Sequence, residues 1–428
     1  MRLLLIADND SQLLACEALC LGSGISSDDV TINVIPRDGT PETILRRVRP
    51  LGTCWTLQLP QLLSSSKLNR FDAIGVFLTG SKLNDIRLAL ERRSKRPLLF
   101  CGFNGVVLDH FIEGISWRLG YDLICLGGPR DQEALAELVA NTPFANQRTV
   151  LTGLQRNQVS ANDPQTSEKP KQMVFAEQVV MPATAGERAI MVRILADLAD
   201  RSPDWKILIK PRISPGDATF HEVETHISTT VRQTLGVPPR NLDITYRPLP
   251  DLLRETRLLV TLSSTAFFDA LDFGCRPMAM SDLGLNSAYG SHVFVGSGVW
   301  RCISEITDLN ELDRNLPFPD QRWLQWMGYG PDFNPRKLLS ALEKMEAAQP
   351  SCLETGYPAS RQSSFYQLRL GAEAAIATGD WHSARELLSQ ASQMRPHHRG
   401  VARRLATVAI RNPWLRRLGL MLSYRYLR

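Results

Sequence analysis

The sequence predicts an α/β protein in which two Rossmann-like domains face a cleft and a helical tail follows them. Short apolar strands alternate with helical segments over residues 1–154, and the same alternation restarts at residue 173. Such alternation produces a parallel sheet, because each strand connects to the next through a crossover helix. Residues 155–172 between the two halves contain only two apolar positions, which indicates a linker or a flexible surface loop.

The elements of each half follow from apolar runs, helical periodicity and the glycines that end helices. The first half has predicted strands at 3–7, 30–35, 73–78, 98–103, 123–126 and 150–154, with helices near 12–21, 82–95 and 132–139. The second half has strands at 174–180, 206–209, 242–246, 258–262 and 277–280, with helices at 185–200, 222–235 and 249–255. The predicted units are an N-terminal domain (1–154), a linker (155–172), a C-terminal domain (173–350) and a helical tail (351–428).

The tail has two distinct parts. Residues 372–394 resemble one tetratricopeptide unit, and because such units need about three neighbours to stand alone, we expect this one to pack on the second domain. Residues 395–428 contain nine Arg and no acidic residue, interleaved with Trp, Tyr and Leu. Two interpretations of this end remain open: a basic amphipathic segment on a membrane surface, or a solvated helix packed on the body.

Charge and cysteine content exclude several classes of protein. The net charge is +5, but the residues from Leu353 onward carry +8, so the body carries −3 and we expect no nucleic-acid partner. The eight Cys are scattered without a CxxC pair, which favours free thiols in a reducing cytoplasm over disulfides or zinc. No apolar run approaches the roughly 18 residues of a membrane-spanning helix.

Three consecutive hydroxyl side chains follow the apolar strand 258–262. Ser263, Ser264 and Thr265 stand between this strand and the next helix, which places them at the carboxyl edge of a parallel sheet. Phosphate and nucleotide groups bind at this edge. The alternative is that one hydroxyl only caps the helix.

A basic motif ends another strand of the same half. Lys210-Pro211-Arg212 follows the strand 206–209, and His221 comes a few residues later. Arg offers a bidentate fork for phosphate or carboxylate, and Lys offers a point charge. One hypothesis is that the basic motif and the hydroxyls bind one anionic ligand from neighbouring strand ends. The alternative is that the basic motif is an exposed strand end with solvated charges.

The two motifs together resemble those of GT-B glycosyltransferases. Lys210-Pro211-Arg212 and Ser263-Ser264-Thr265 are most similar to motifs of the bacterial sialyltransferase and Kdo-transferase group. Those enzymes hold the nucleotide and phosphate of a CMP-activated sugar with a His-Pro and a Ser-Ser/Ser-Thr motif; Lys-Pro-Arg replaces His-Pro here. Residues 7–11, 175–178 and the His221 segment also resemble an uncharacterised family labelled "putative glycosyltransferase", over about residues 1–300.

The resemblance implies transfer of a sugar from a nucleotide-sugar donor, with a CMP-linked acidic sugar as one candidate, to a cell-surface glycan or lipid-linked acceptor. It implies an N-terminal acceptor domain and a C-terminal donor domain, with donor binding by Lys210, Arg212, His221 and the hydroxyls 263–265. The nucleotide sugar is a co-substrate, and we expect no cofactor and no metal. We expect a cytoplasmic enzyme, with peripheral contact to the inner face of the plasma membrane if the basic tail binds lipid.

An inverting transfer needs a carboxylate or His that accepts the proton of the acceptor hydroxyl. Asp8 and Asp10 follow the first strand at the mouth of the predicted cleft, and His110 follows a glycine-containing segment at 101–105. Each has an alternative role: Asp10 as a helix N-cap, Asp8 as a turn former and His110 as a structural histidine.

Other chemistries lack their motifs. The chain contains no GxxxxGK[ST], and its first strand is not followed by GxGxxG, which excludes a P-loop and leaves dinucleotide binding unsupported. No cluster has zinc spacing, and Asp8-x-Asp10 lies too early in the domain for a metal-dependent GT-A transferase. Two alternatives remain open: a sugar-nucleotide epimerase, which needs no acceptor, and a non-catalytic protein that binds nucleotide sugars or glycans.

Overall fold

The first half of the chain forms a parallel sheet. The computed structural model describes residues 1–36, 42–91, 96–106, 111–142, 144–155, 169–179, 181–215, 225–285, 289–348 and 365–424. The strands of the first sheet are β1 (Leu3–Ala7), β2 (Val30–Val34), β3 (Thr53–Trp55), β4 (Ala73–Val76), β5 (Leu98–Gly102), β6 (Leu123–Leu126) and β7 (Thr149–Leu151). Their order is β3-β2-β1-β4-β5-β6-β7, and neighbouring strands pair in parallel.

The second half forms another parallel sheet. Its strands are β8 (Gln172–Ala176), β9 (Lys206–Lys210), β10 (Leu242–Ile244), β11 (Leu258–Thr261), β12 (Arg276–Met280) and β13 (Trp300–Arg301). They lie in the order β10-β9-β8-β11-β12-β13. The central strands of both sheets are buried along their whole length, which explains their continuous apolar sequences.

Helices cover both sheets and continue into the tail. Helices of the first half are α1 (Asp10–Ser23), α2 (Glu42–Val48), α3 (Leu59–Leu63), α4 (Ser81–Glu91), α5 (Phe111–Ser116) and α6 (Pro129–Val139). Those of the second half are α7 (Ala185–Arg201), α8 (Ile227–Leu235), α9 (Leu249–Glu255), α10 (Ala266–Asp272), α11 (Leu309–Asn315), α12 (Gln321–Met327) and α13 (Arg336–Ala348). The tail contains α14 (Phe365–Thr378), α15 (Trp381–Met394), α16 (Arg399–Val408) and α17 (Pro413–Tyr424).

This architecture confirms the predicted fold class, two Rossmann-like α/β halves with a helical region at the carboxyl end. The strand β3 was not predicted; it lies at a sheet edge and its first two residues are exposed, so it lacks an apolar run. Most of the predicted linker lies outside the described residues. Its end does not behave as a linker, because Lys169 is buried and donates a hydrogen bond to the Leu253 carbonyl at 2.9 Å.

Two helical segments pack on the first sheet, contrary to expectation. Helix α13, assigned by sequence to the C-terminal domain, buries Leu338, Leu342 and Met345 in the core that α1 shares with the first sheet. Helix α14 lies against α3 and α4, and its Leu370 and Ala374 complete the core on the other face of that sheet. The expectation that the tail packs on the second domain is therefore wrong, because α3 and α4 present apolar surface that α14 covers.

Within the described residues, no helix combines the length and apolar character that crossing a bilayer requires.

Candidate active site at the carboxyl edges of the two sheets

The predicted site residues lie where the strand order of each sheet reverses. In the first sheet, β1 lies between β2 and β4; in the second, β8 lies between β9 and β11. Ligands of open α/β sheets bind beyond the carboxyl ends of the strands at such a switch point. The acidic segment follows β1, the basic motif follows β9 and the hydroxyls follow β11, so both crevices carry polar side chains.

Asp8 is a buried carboxylate that pairs with an exposed lysine across the first switch point. Its side chain is 2% exposed, and Oδ2 lies 2.6 Å from Lys82 Nζ at the start of α4, which follows β4. Asn9 Nδ2 donates a hydrogen bond to Asp8 Oδ1 at 3.1 Å, and the Asp8 N–H donates to Gln12 Oε1. These contacts hold the Asp8 carboxylate in place and commit it to a cation.

Asp10 has a more open environment. Asn9, not Asp10, is the N-cap of α1, and its side chain accepts a hydrogen bond from the Gln12 N–H at 3.1 Å. The capping alternative for Asp10 is therefore wrong. Asp10 is the first helical residue, its side chain is 33% exposed, and a carboxylate there is stabilised by the helix dipole.

Arg212 connects the two halves across the cleft. Its Nη2 donates a hydrogen bond to Ser11 Oγ at 2.5 Å and lies 3.4 Å from Asp10 Oδ2. The Arg212 side chain is otherwise half-exposed. The structure thus brings together one predicted donor-site cation of the second half and one predicted catalytic carboxylate of the first.

A buried carboxylate organises the base of the basic motif. Glu177, just after β8, accepts a hydrogen bond from Arg188 Nη2 at 3.2 Å and from the Arg212 N–H at 3.4 Å. Burial raises the pKa of the Glu177 carboxyl, and the Arg188 guanidinium opposes this effect. Burial lowers the pKa of the Lys210 ammonium, opposed by the Glu177 charge, and Lys210 Nζ donates a hydrogen bond to the Pro211 carbonyl. Glu177 therefore fixes the backbone from which Arg212 extends.

The first hydroxyl of the 263–265 turn is committed to a protein contact. Ser263 is buried, its N–H donates to Gln178 Oε1 at 3.0 Å, and Gln178 Nε2 donates to Ser263 Oγ at 3.2 Å. This pair joins the ends of β8 and β11 at the second switch point. The contacts of Ser263 therefore give it a role in ordering the turn.

The other two hydroxyls are partly exposed. Ser264 Oγ accepts a hydrogen bond at 3.2 Å from the N–H of Ala266, the first residue of α10. Thr265 is the N-cap residue of α10, yet its side chain makes no capping hydrogen bond. Because α10 has only seven residues, we expect the side chains of the turn and of the basic motif to contribute more to anion binding than the N-terminus of this helix.

Sequence reasoning missed His226, the N-cap of α8. The Ser228 N–H donates to His226 Nδ1 at 3.1 Å, so Nε2 carries the hydrogen and donates to the Ile213 carbonyl at 3.0 Å. This bond ties α8 to the segment after Arg212. The predicted helix began at residue 222, so the sequence analysis did not indicate His226 as a helix cap, and nothing there links it to β9. His110 and His221 lie outside the described residues.

A small cavity lies at the carboxyl edge of the first sheet. It has a volume of about 70 Å³ and is lined in part by Gly102, Phe103, Gly105, Gly127 and Gly153. It therefore includes the predicted glycine-containing segment 101–105. In the part of the chain that the structure describes, no group of three or more His, Cys, Asp or Glu side chains is arranged to hold a metal ion.

The fold and this cleft define a GT-B-type α/β protein. The UDP-GlcNAc 2-epimerase from Neisseria meningitidis bound to UDP-GlcNAc is similar in structure, with a TM-score of 0.50 and 11% identity over 80% of this chain and 100% of that one. The structure of S. aureus MnaA with UDP is similar with a TM-score of 0.49 and 12% identity, over 80% of this chain and 96% of that one. The spinosyn forosaminyltransferase SpnP is similar with a TM-score of 0.46 and 12% identity, over 81% of this chain and 99% of that one. At these identities the similarity concerns the fold.

The chain belongs to the family described as "Putative glycosyltransferase (DUF6716)", whose family model matches residues 3–345. A comparison with curated protein sequences finds no significant match. The predicted resemblance to glycosyltransferases is confirmed at the level of this family. The narrower resemblance to the sialyltransferase and Kdo-transferase group stays a prediction.

Proposed function

We propose that this protein is a glycosyltransferase that moves a sugar from a nucleotide-activated donor to a cell-surface glycan or lipid-linked acceptor. Membership of the family supports the reaction class, and the GT-B-type fold, which is also that of a UDP-GlcNAc 2-epimerase, is compatible with it. The observation that carries the proposal is the contact of Arg212 with Ser11 and Asp10. It brings the proposed phosphate-binding cation and the proposed base into one cleft from opposite halves.

The donor phosphates bind at the ends of β9 and β11 in this proposal. Lys210 and Arg212 supply the positive charge, with the Arg fork suited to two phosphate oxygens. Ser264 and Thr265 supply partly exposed hydroxyls, while Ser263 keeps the turn in place. Negative charge develops on the departing nucleotide phosphate, so preorganised cations stabilise the transition state. We propose on this ground that the reaction needs no metal ion and no other cofactor.

Asp10 is the proposed general base that accepts the proton of the acceptor hydroxyl. Its carboxylate is partly exposed and faces the second half through Arg212, whereas that of Asp8 is buried against Lys82. Donor and acceptor must meet between the halves, so an accessible carboxylate is better placed than a buried one. His110 and His221 stay as proposals for the acceptor and donor sides.

We further propose that the enzyme works in the cytoplasm. The seven described Cys are free, and most are buried, as expected in a reducing compartment. For the donor, the motif resemblance favours a CMP-linked acidic sugar, while the nucleotide in the epimerase structure is a UDP sugar. Donor identity is thus the first property to measure.

Isothermal calorimetry of the full chain against CMP, CDP, UDP and GDP tests the donor site. We expect one nucleotide to bind far more tightly than the others, with the affinity kept in EDTA. The matching nucleotide sugars are then incubated with the protein alone and with candidate acceptors. Transfer only with an acceptor supports the proposal, whereas isomerised donor without acceptor supports an epimerase. Nucleotide binding without either product indicates a non-catalytic binding protein, and no nucleotide binding contradicts both the transferase and the epimerase.

A further inference from the structure

One face of α17 is apolar and largely exposed in the described structure. Trp414, Leu415, Leu418, Met421 and Leu422 recur at the spacing of one helix face. All five are more than half exposed, and Trp414 is 83% exposed. Exposed apolar residues that cluster in this way mark an interaction surface, whereas isolated ones are common on any protein.

The opposite face of α17 is fixed to the tail. The Arg416 guanidinium stacks on the Trp381 ring at 3.8 Å, and Leu420 packs into the apolar cluster of the tail helices. Arg404, itself in a buried ion pair with Glu373, donates a hydrogen bond to the Leu420 carbonyl at 3.2 Å. This face of α17 therefore packs on the other helices of the tail. The rest of the tail holds the apolar face outward.

The last two helices and the residues beside them are rich in exposed positive charge. Exposed arginines occur on and around the last two helices, and the described residues 395–424 include no acidic side chain; these arginines are Arg395, Arg399, Arg403, Arg411 and Arg417. Arg417 lines a groove together with Met421 of the apolar face. An apolar stripe with a cation beside it matches an anionic bilayer, where the stripe enters the headgroup region and the cation meets phosphates.

A groove continues from this face onto the first half. Met421 and Arg417 line it from α17, while Lys67 and the serines 64–66 line it from the segment after α3. The groove has a volume of about 720 Å³. Two cations and three hydroxyls at its rim suit the phosphate of a lipid headgroup.

We infer that the apolar face of α17 binds a membrane surface rich in anionic phospholipid, with headgroup phosphates at Arg417 and Lys67. A second copy of the chain is a poorer occupant. Two-fold pairing through this face brings the same arginines of both copies together without acidic partners, and like charges oppose association. The inference goes beyond the proposed function, because it concerns where the protein binds and not which reaction it catalyses.

Vesicle sedimentation of the full chain tests this inference. We expect the protein to pellet with vesicles of phosphatidylcholine containing about 30% phosphatidylglycerol at low salt, and to be released by about 0.5 M NaCl, where charges are screened within a few ångströms. Vesicles of phosphatidylcholine alone should bind it at least about tenfold more weakly. Nucleotide affinity is measured on the same samples, so that failure of the donor site and failure of membrane binding are seen separately.

Matched variants locate the surface. Trp414→Ser/Leu418→Ser should lower vesicle affinity at least about tenfold, because it removes two large side chains that enter the headgroup region. Val237→Ser/Phe318→Ser is the control, since these side chains are 88% and 59% exposed, against 83% and 53% for the pair on α17. Arg411→Gln/Arg417→Gln should weaken binding and its salt dependence, whereas Arg240→Gln/Arg322→Gln, with exposed arginines elsewhere, should not.

Three results would overturn the inference. The first is no pelleting of the full chain with anionic vesicles at low salt. The second is equal binding to neutral vesicles with no effect of either tail variant. The third is a dimer, seen by light scattering, that Trp414→Ser/Leu418→Ser dissociates while vesicles bind nothing. That result would assign the face to a second copy.

Discussion

Asp8 and Asp10 are two positions apart, yet their carboxylates have different partners and different access to the cleft. Asp8 is buried and paired with Lys82 at 2.6 Å, whereas Asp10 is partly exposed and lies 3.4 Å from Arg212. The turn at Asn9 causes the difference, because it lies between the strand end and the first residue of α1. The sequence offers both residues as candidate bases, but only the Asp10 carboxylate is accessible from the cleft.

Replacing Asp10 by Asn separates these roles. Because Asn9 caps α1, Asp10→Asn should leave the helix intact and change thermal stability little. If Asp10 is the general base, turnover should fall about 100-fold or more, since an amide does not accept the proton. Steady-state kinetics and thermal unfolding are measured on the same samples. The control is Asp8→Asn, which breaks the pair with Lys82 and should lower stability first. Wild-type turnover in Asp10→Asn would remove Asp10 from catalysis.

Arg212 is the residue whose loss should affect nucleotide binding most directly. A charged hydrogen bond to phosphate contributes about 1.5–3 kcal/mol, and the half-exposed guanidinium favours the lower end of this range. Arg212→Ala should therefore weaken nucleotide binding by about 1.5 kcal/mol, measured by calorimetry. Arg247→Ala is the control, because Arg247 is equally exposed but pairs with Glu255. Unchanged affinity in a folded Arg212→Ala protein would exclude this residue from the donor site.

Local sequence predicted which residue types stand at the strand ends, but not which of them contact one another. The run at 263–265 was predicted at a carboxyl edge, and it follows β11. The sequence did not indicate that Gln178 binds Ser263, because these residues are 85 positions apart and only sheet pairing brings them together. The same holds for Arg212 and Ser11, which are 201 positions apart.

At the scale of elements, glycines allow the two halves to approach closely. Gly128 is the N-cap of α6 and Gly328 is the C-cap of α12. A Cβ on Gly128 would lie 2.3 Å from the Gly328 backbone nitrogen, and Gly328 has a φ of +89°, where side chains are disfavoured. The Leu154 N–H donates to the Gly328 carbonyl at 2.9 Å. These helix ends therefore form a fixed contact between the halves.

A methyl group at this contact should be costly. Gly128→Ala must displace backbone atoms, so we expect a loss of about 1–3 kcal/mol in the free energy of unfolding, as for overpacked sites. Denaturant unfolding measures this, and Gly186→Ala is the control because its Cβ meets no atom within 4 Å. The control should be neutral or slightly stabilising, since Ala favours the helix more than Gly. Equal stabilities of the two variants would show that the helix ends separate easily.

Alternation of strands and helices was sufficient to predict most strands of each half, although not the edge strands β3 and β13. It did not indicate which half each later helix covers. Helix α13 has a clear apolar face, and a periodic pattern gives no information about its partner. The partner becomes evident only from the packed core, in which Leu338 and Leu342 lie with α1 residues. The packing of α13 on the first sheet was therefore not predictable from the sequence of the helix itself.

The whole molecule has its tail anchored to the first half, although the tail follows the second in sequence. Leu370 is 1% exposed in the core formed with α3 and α4. The family model ends at residue 345, before this helix begins. The tail thus forms a further helical layer on the first half. This layer places α17 and its apolar face beside the first half of the protein.

If α14 and the first half form one cooperative unit, a destabilising substitution in α14 should increase hydrogen exchange in the first half and not in the second. Leu370→Ala leaves a cavity in a shared core and should cost about 2–5 kcal/mol. Hydrogen exchange should then rise in α3 and α4 as well as in α14, because opening of the unit exposes all three. Met278→Ala in the core of the second sheet is the control, and it should raise exchange in β11 and β12 instead. Increased exchange confined to α14 after Leu370→Ala would show that the tail opens by itself and leaves the first half intact.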